Sequence, residues 1–170
     1  MTKNHILRQF DFNLSYAEGL VSDLSESQMT EVPSKGFENH PAFTLGHLIS
    51  GSASLAEDLG AKFEMDDKWR DLFLRKGPGD PRLPESDRSV YPQKKQLLEE
   101  LNRQHEKVKN LLLAIDEAEL NQTVKWRFGK QMPTLLDLVL FMAINHEAML
   151  LGQLAGWRRA MGLPSALSNL

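Results

Sequence analysis

Apolar residues recur three and four positions apart in four stretches of this chain, the spacing that gathers side chains on one face of an α-helix. The first face is Leu7, Phe10, Leu14, Ala17, Val21 and Leu24. The second is Leu45, Leu48, Ser52, Leu55 and Leu59, opening after His40-Pro41 and ending at Gly60; proline suits a first helical turn and keeps the residue before it out of helical geometry. The third is Leu98, Leu101, His105, Val108, Leu112 and Ile115, entered at Pro92. Lysines and glutamates between Lys94 and Lys109 fall largely on its opposite face, which gives the helix one wet side. The fourth is Leu135, Val139, Met142, His146, Met149, Gln153, Gly156 and Ala160. Thr134 and Asp137 form a capping-box pair at its start, Arg158 and Arg159 suit the negative end of its dipole, and Gly162 and Pro164 stop it. At 1.5 Å per residue its roughly 28 residues span about 42 Å. Four such elements with almost no strand signal predict an all-α four-helix bundle, one domain over residues 1–170.

Two segments break the pattern. Glu64 to Tyr91, between the second and third helices, is rich in charge and in Pro and Gly (Gly77-Pro78-Gly79-Asp80-Pro81, Pro84), with Trp69, Leu72, Phe73 and Leu74 inside it. It is too long for a turn and reads either as a surface crossover pinned by a short helix around Trp69 or as a lid over a pocket at the bundle end. Asn121 to Gln131 shows a weak alternation of Val124, Trp126 and Phe128, at most a short extended connector.

Composition narrows the chemistry. With 20 Lys and Arg against 23 Asp and Glu over 170 residues, the chain carries no basic stripe for nucleic acid or for an anionic membrane surface. The absence of cysteine excludes disulfides, thiolate nucleophiles and Cys-ligated metals, so a metal here would need His, carboxylate or water. A Gly-x-Ser-x-Gly elbow and a phosphate-cradling glycine loop are also missing. The first ten residues lack the apolar stretch of a secretory signal, which sets a cytoplasmic expectation. Asn39 to Ala56 runs eighteen residues without Asp, Glu, Lys or Arg, but its His, Gly, Ser and Thr residues read as a buried helix.

Histidine placement carries what remains, because imidazole is both the commonest metal ligand and the group that titrates near neutral pH. His146 and His105 lie on the inward stripes of their helices. His47 flanks the apolar stripe of the second helix, sharing a face with Phe43, Gly51 and Ser54 at i−4, i+4 and i+7. Gly46 and Gly51 each cost a helix up to about 1 kcal/mol relative to Ala, so close approach of another element or a cavity should compensate. His5 and His40 read as structural, and Met142 and Met149 as core filling.

The segments Asn39-His40-Pro41-Ala42-Phe43-Thr44-Leu45-Gly46-His47-Leu48 and Asn145-His146-Glu147-Ala148-Met149-Leu150-Leu151-Gly152-Gln153-Leu154, about 100 residues apart, resemble the DinB/YfiT superfamily. Tyr91-Pro92 and Trp157 to Pro164 add to the likeness. It implies a four-helix bundle, often a homodimer, among whose members are metal-dependent hydrolases and transferases or isomerases using low-molecular-weight thiols. It also implies a divalent metal on three histidines, one in Gly-His-Leu and two in His-x-x-x-His. His47 and His146 match the first two positions, and the third falls on Leu150, which cannot coordinate anything.

Since a catalytic zinc-type site usually needs three protein ligands and an open position, two imidazoles should hold Zn or Ni weakly or not at all. His105 is the candidate replacement: on antiparallel neighbours it and His146 would lie at similar depths, roughly 15 and 18 Å along their helices. Gln153, two turns from His146, could orient a bound water. The resulting expectation is a binding, regulatory or vestigial-site module with a small-molecule pocket around Phe43, His47, Gly51, Ser54, His146, Met149, Leu150 and Gln153. The alternatives are a metal-dependent hydrolase or thiol S-transferase working at His47 and His146, and a structural dimer with satisfied core histidines.

Overall fold

A computed structural model describes residues 3–77 and 80–170; Met1, Thr2 and, from the Gly77–Pro81 run, Pro78 and Gly79 lie outside the described residues. The helices are α1 (Lys3–Val21), α2 (Pro41–Asp58), α3 (Asp67–Phe73), α4 (Lys94–Ala114), α5 (Glu117–Leu120), α6 (Leu135–Leu140) and α7 (Glu147–Ala160). A π-helical turn over Phe141–His146 joins α6 to α7, making one rod over Leu135–Ala160. Among the described residues β-type pairing is confined to an isolated bridge between Thr123 and Thr134, so the fold is all-α.

Local chemistry sets the helix ends. His40 caps α2, its Nδ1 accepting from the Phe43 N–H at 3.2 Å, with Pro41 in the first turn. Its ring packs edge-on against Tyr91 at 4.5 Å, and burial pulls its pKa down to about 4; the structural reading of His40 holds. Thr134 and Asp137 cap α6 reciprocally, Asp137 N–H donating to Thr134 Oγ1 at 3.2 Å and Thr134 N–H to Asp137 Oδ2 at 2.9 Å. Arg158 does more than face a helix dipole. It is buried, donates from two nitrogens to Asp23 at 2.6 and 2.9 Å, and ties the end of α7 to the end of α1.

α2 packs most extensively on α4, and α1 packs on both α4 and α7. The apolar interior falls into two clusters. Leu45, Leu48, Leu97, Leu101, Leu151 and Trp157 belong to one; Phe10, Leu55, Val108, Leu112, Leu138 and Val139 belong to the other. Each long rod also contributes a buried polar residue: Asn13 from α1, Ser52 from α2, His105 from α4 and Glu147 from α7.

The last rod departs from simple periodicity. The expected inward stripe holds through Leu135 and Val139, after which the buried positions are Ala143, Glu147, Leu150, Leu154 and Trp157, each one residue later than the 3.6-residue pattern places it. The wide turn at Phe141–His146 is the cause: a π-turn takes up about one extra residue, so the chain beyond it lags a regular helix by about 100°. Asn13 Nδ2 donates to the carbonyls of Ala143 and Ile144 there, at 3.2 and 3.5 Å. The side chains expected to face the core, Met142, His146, Met149 and Gln153, therefore turn to the neighbouring face. Met149 is 57% exposed and fills no core, whereas Met142 is partly buried and packs against the second cluster as well as lining the neighbouring face.

Leu135–Ala160 is long and apolar enough to cross a membrane by length and composition alone. Its buried apolar residues here belong to the two interior clusters.

Candidate functional site

The face that α2 and the last rod turn toward each other opens into a cavity of about 620 Å³. From α2 come Phe43, His47, Ser50, Gly51 and Ser54, and from the last rod Met142, His146, Met149, Leu150 and Gln153. All eight pocket residues expected from the sequence thus share one cavity. The remaining walls come from segments whose contribution periodicity could not show: Arg75, Asp80 and Arg82 from the long connection, and Trp126, Arg127 and Phe128 from the 121–131 connector.

The two glycines of α2 account for this arrangement. A Cβ on Gly46 would fall well under 3.0 Å from three ring carbons of Phe73, so that α3 can seat Phe73 against α2 only over bare backbone. A Cβ on Gly51 would come 3.3 Å from Cε1 of His146, so Gly51 makes room for the imidazole. The short helix of the 64–91 connection and its role as a cavity wall are thus one feature, pinned through Phe73.

His47 and His146 meet edge to face with ring centroids 5.4 Å apart. His47 Nδ1 donates to the Phe73 carbonyl at 3.0 Å, which fixes the tautomer and leaves the Nε2 lone pair available. The His146 nitrogens have no hydrogen-bond partner among the described residues. Burial lowers the pKa of both rings, that of His146 to about 4, with His47 adding to the effect. Both are neutral at pH 7, the state a ligand or metal requires. Gln153 lines the same cavity, where its Oε1 accepts from Asn39 Nδ2 at 3.0 Å.

His105 is elsewhere. α4 packs on α2 and α1, and His105 reaches across the interior to Glu147, its Nε2 2.9 Å from Oε1, with Phe10 stacked on it at 3.8 Å. The expected neighbour relation between this helix and the last rod does not hold: α4 faces the last rod across the interior, where the wide turn presents Glu147 to it and swings His146 to the cavity. Glu147 is the residue sequence reasoning missed: a carboxylate that periodicity placed off the core is buried, and desolvation raises its pKa. Its position beside an inward histidine was the available signal.

The implied metal can be tested against these residues. Two imidazoles on one tetrahedral ion, with metal–nitrogen distances of about 2.1 Å, have centroids about 5 Å apart, close to the spacing of His47 and His146. A backbone carbonyl on the far nitrogen, as Phe73 provides for His47, is the usual outer support of a ligating histidine. Yet no group of three or more His, Asp or Glu suited to a metal exists among the described residues, and Leu150 lines the cavity at the position where the resemblance implies a third histidine. The donor set fits an ion held by two side chains plus solvent or ligand, and does not fit a three-histidine centre.

The DinB superfamily model matches residues 9–154. The chain belongs to the DinB superfamily. No curated protein and no solved structure matches it. The match spans both histidine segments and every cavity wall named above, so the departure at Leu150 lies within the DinB domain.

Proposed function

We propose that this DinB protein is a small-molecule-binding module whose three-histidine centre is reduced to two imidazoles. The observation that carries the reading is the pair itself: two neutral rings side by side on a roomy, largely apolar cavity, with Leu150 where the third ligand would stand. Such a cavity suits a small ligand, its apolar lining supplying affinity and the few polar groups orientation. The protein acts in the cytoplasm, as a homodimer in keeping with family likeness.

A second reading is favoured by the His47–Phe73 hydrogen bond, which would support a metal ligand. On that reading the chain is a metal-dependent hydrolase or low-molecular-weight-thiol S-transferase, with Zn or Ni held by His47 and His146. The ion would supply a lowered pKa to a water or substrate thiol. The protein would position the ion through Phe73 and keep the cavity apolar around it.

Elemental analysis of untagged protein after loading with zinc and dialysis separates the two. The wild type should retain much less than one equivalent, whereas Leu150→His should approach one and gain thermal stability when zinc is added, because a ligand bound only to the folded state stabilises it by mass action. Near-stoichiometric zinc in the wild type would overturn the binding-module reading, and a zinc-indifferent Leu150→His would show that the pair is not poised for an ion.

A further inference from the structure

The charged side chains lining the cavity are, among the described residues, three arginines and one aspartate, in a chain whose formal charge is −3. Arg82 and Asp80 satisfy each other. Arg82 Nε and Nη2 donate to Asp80 Oδ2 at 3.0 and 2.6 Å, and Nη2 also donates to the Leu74 carbonyl at 3.0 Å. Arg75 is different. It donates to the Leu72 carbonyl at 3.2 Å but has no ion pair among the described residues. Partial burial and then the nearby Arg82 work against its charge, and Asp80, Tyr91 and Glu85 offset part of that effect.

Arg75 is nevertheless held in place. Its guanidinium lies 4.4 Å above the Phe43 ring, a stacked arrangement that arginine adopts readily and that leaves its edge free to donate. Phe43 stacks on His47 at 5.8 Å with the planes 9° apart. A cation, an aromatic face and two neutral imidazoles therefore follow one another along one wall, with Arg75 no more than about 10 Å from His47. Once hydrogen-bond lengths are allowed at both ends, at most about 4 Å remains between the polar ends of a ligand touching both.

We propose that Arg75 is the anion-recognising residue of this cavity and that the natural ligand is a small organic carboxylate with an apolar body. The carboxylate takes the free edge of the guanidinium, and the body lies along Phe43 toward the imidazoles, opposite the Trp126, Phe128 and Phe141 cluster. The fork of a guanidinium matches a carboxylate bidentately. The proposal rests on the cavity being the ligand site.

Calorimetry with hydrocinnamate, its neutral amide and inorganic phosphate tests it. The acid should bind at least about tenfold more tightly than the amide, the ratio expected of a charge-assisted hydrogen bond. Arg75→Gln should abolish that preference, Arg75→Lys should retain part of it, and Arg103→Gln, on the outer face of α4, should leave it intact. Preference surviving in Arg75→Gln overturns the assignment, and phosphate binding as tightly as the acid overturns the organic class. Equal binding of acid and amide overturns the charge reading while leaving the cavity a ligand site. No binding of either at about 10 mM overturns both.

Discussion

Replacing Gly46 by alanine asks a single methyl group to enter a space that the Phe73 ring already fills. The built Cβ lies 2.2 to 2.4 Å from Cδ1, Cε1 and Cγ, so the ring must retreat by well over ~1 Å to restore ordinary separation. Phe73 is fully buried and ringed by Phe43, Trp69 and Tyr91 at about 6 Å, which leaves it little room. Overpacking of this kind costs about 1–3 kcal/mol, and three overlapped atoms place this case near the upper end. The helix gains up to about 1 kcal/mol from losing a glycine, leaving a net loss of about 2 kcal/mol. Gly152 in α7 is the internal control, since its added Cβ meets nothing within 4 Å, and Gly152→Ala should stabilise by close to 1 kcal/mol. Thermal unfolding should therefore move in opposite directions, down by about 4–8 °C for Gly46→Ala and up by about 2–4 °C for Gly152→Ala. The His47 ring resonances should also shift in the first variant alone, because the Phe73 carbonyl holds Nδ1. A Gly46→Ala protein as stable as the wild type would refute the seating of α3 on α2, and with it the wall this connection gives the cavity.

Two further outcomes follow from the buried polar groups. His146 and His40 have folded pKa values of about 4 against about 6.5 unfolded, so between those pH values the unfolded chain binds more protons and stability falls as the pH is lowered. Each contributes at most about 3 kcal/mol, lost progressively from pH 6.5 to 4; NMR titration of either ring with a midpoint near 6.5 would contradict its burial. Glu147→Ala, which strips His105 of its buried partner, should cost about 3 kcal/mol in urea unfolding, whereas Glu147→Gln keeps a hydrogen-bonding group and should cost less. A loss under about 1 kcal/mol for Glu147→Ala would mean the two side chains are not paired.

Much of the site was legible because it is local. His47, Phe43, Gly51 and Ser54 share a face by helical spacing alone, and Gly51 announced a neighbour needing space, which is His146. Arg75 was illegible because its importance comes from Phe43, 32 positions away in sequence, through a connection without periodicity. The last rod was misphased for another reason. A repeat of 3.6 residues cannot register one wide turn, and no proline or glycine marks Phe141–His146; the residue that donates to its carbonyls, Asn13, lies in a different helix. The same slip explains why His105 was matched to His146 when its partner is the following residue.

The buried polar contacts that join Asn13 to the last rod and His105 to Glu147 also bear on how the rods assemble. Leucine meets leucine in both apolar layers, so hydrophobic contact alone would tolerate sliding one helix along its axis by a turn, about 5.4 Å. Such a slide would set a carboxylate or an amide among hydrocarbon and strand its hydrogen-bonding atoms, at a cost of several kcal/mol. These contacts serve as an index mark, accepting one longitudinal alignment of α1 and α4 against the last rod and rejecting its near misses.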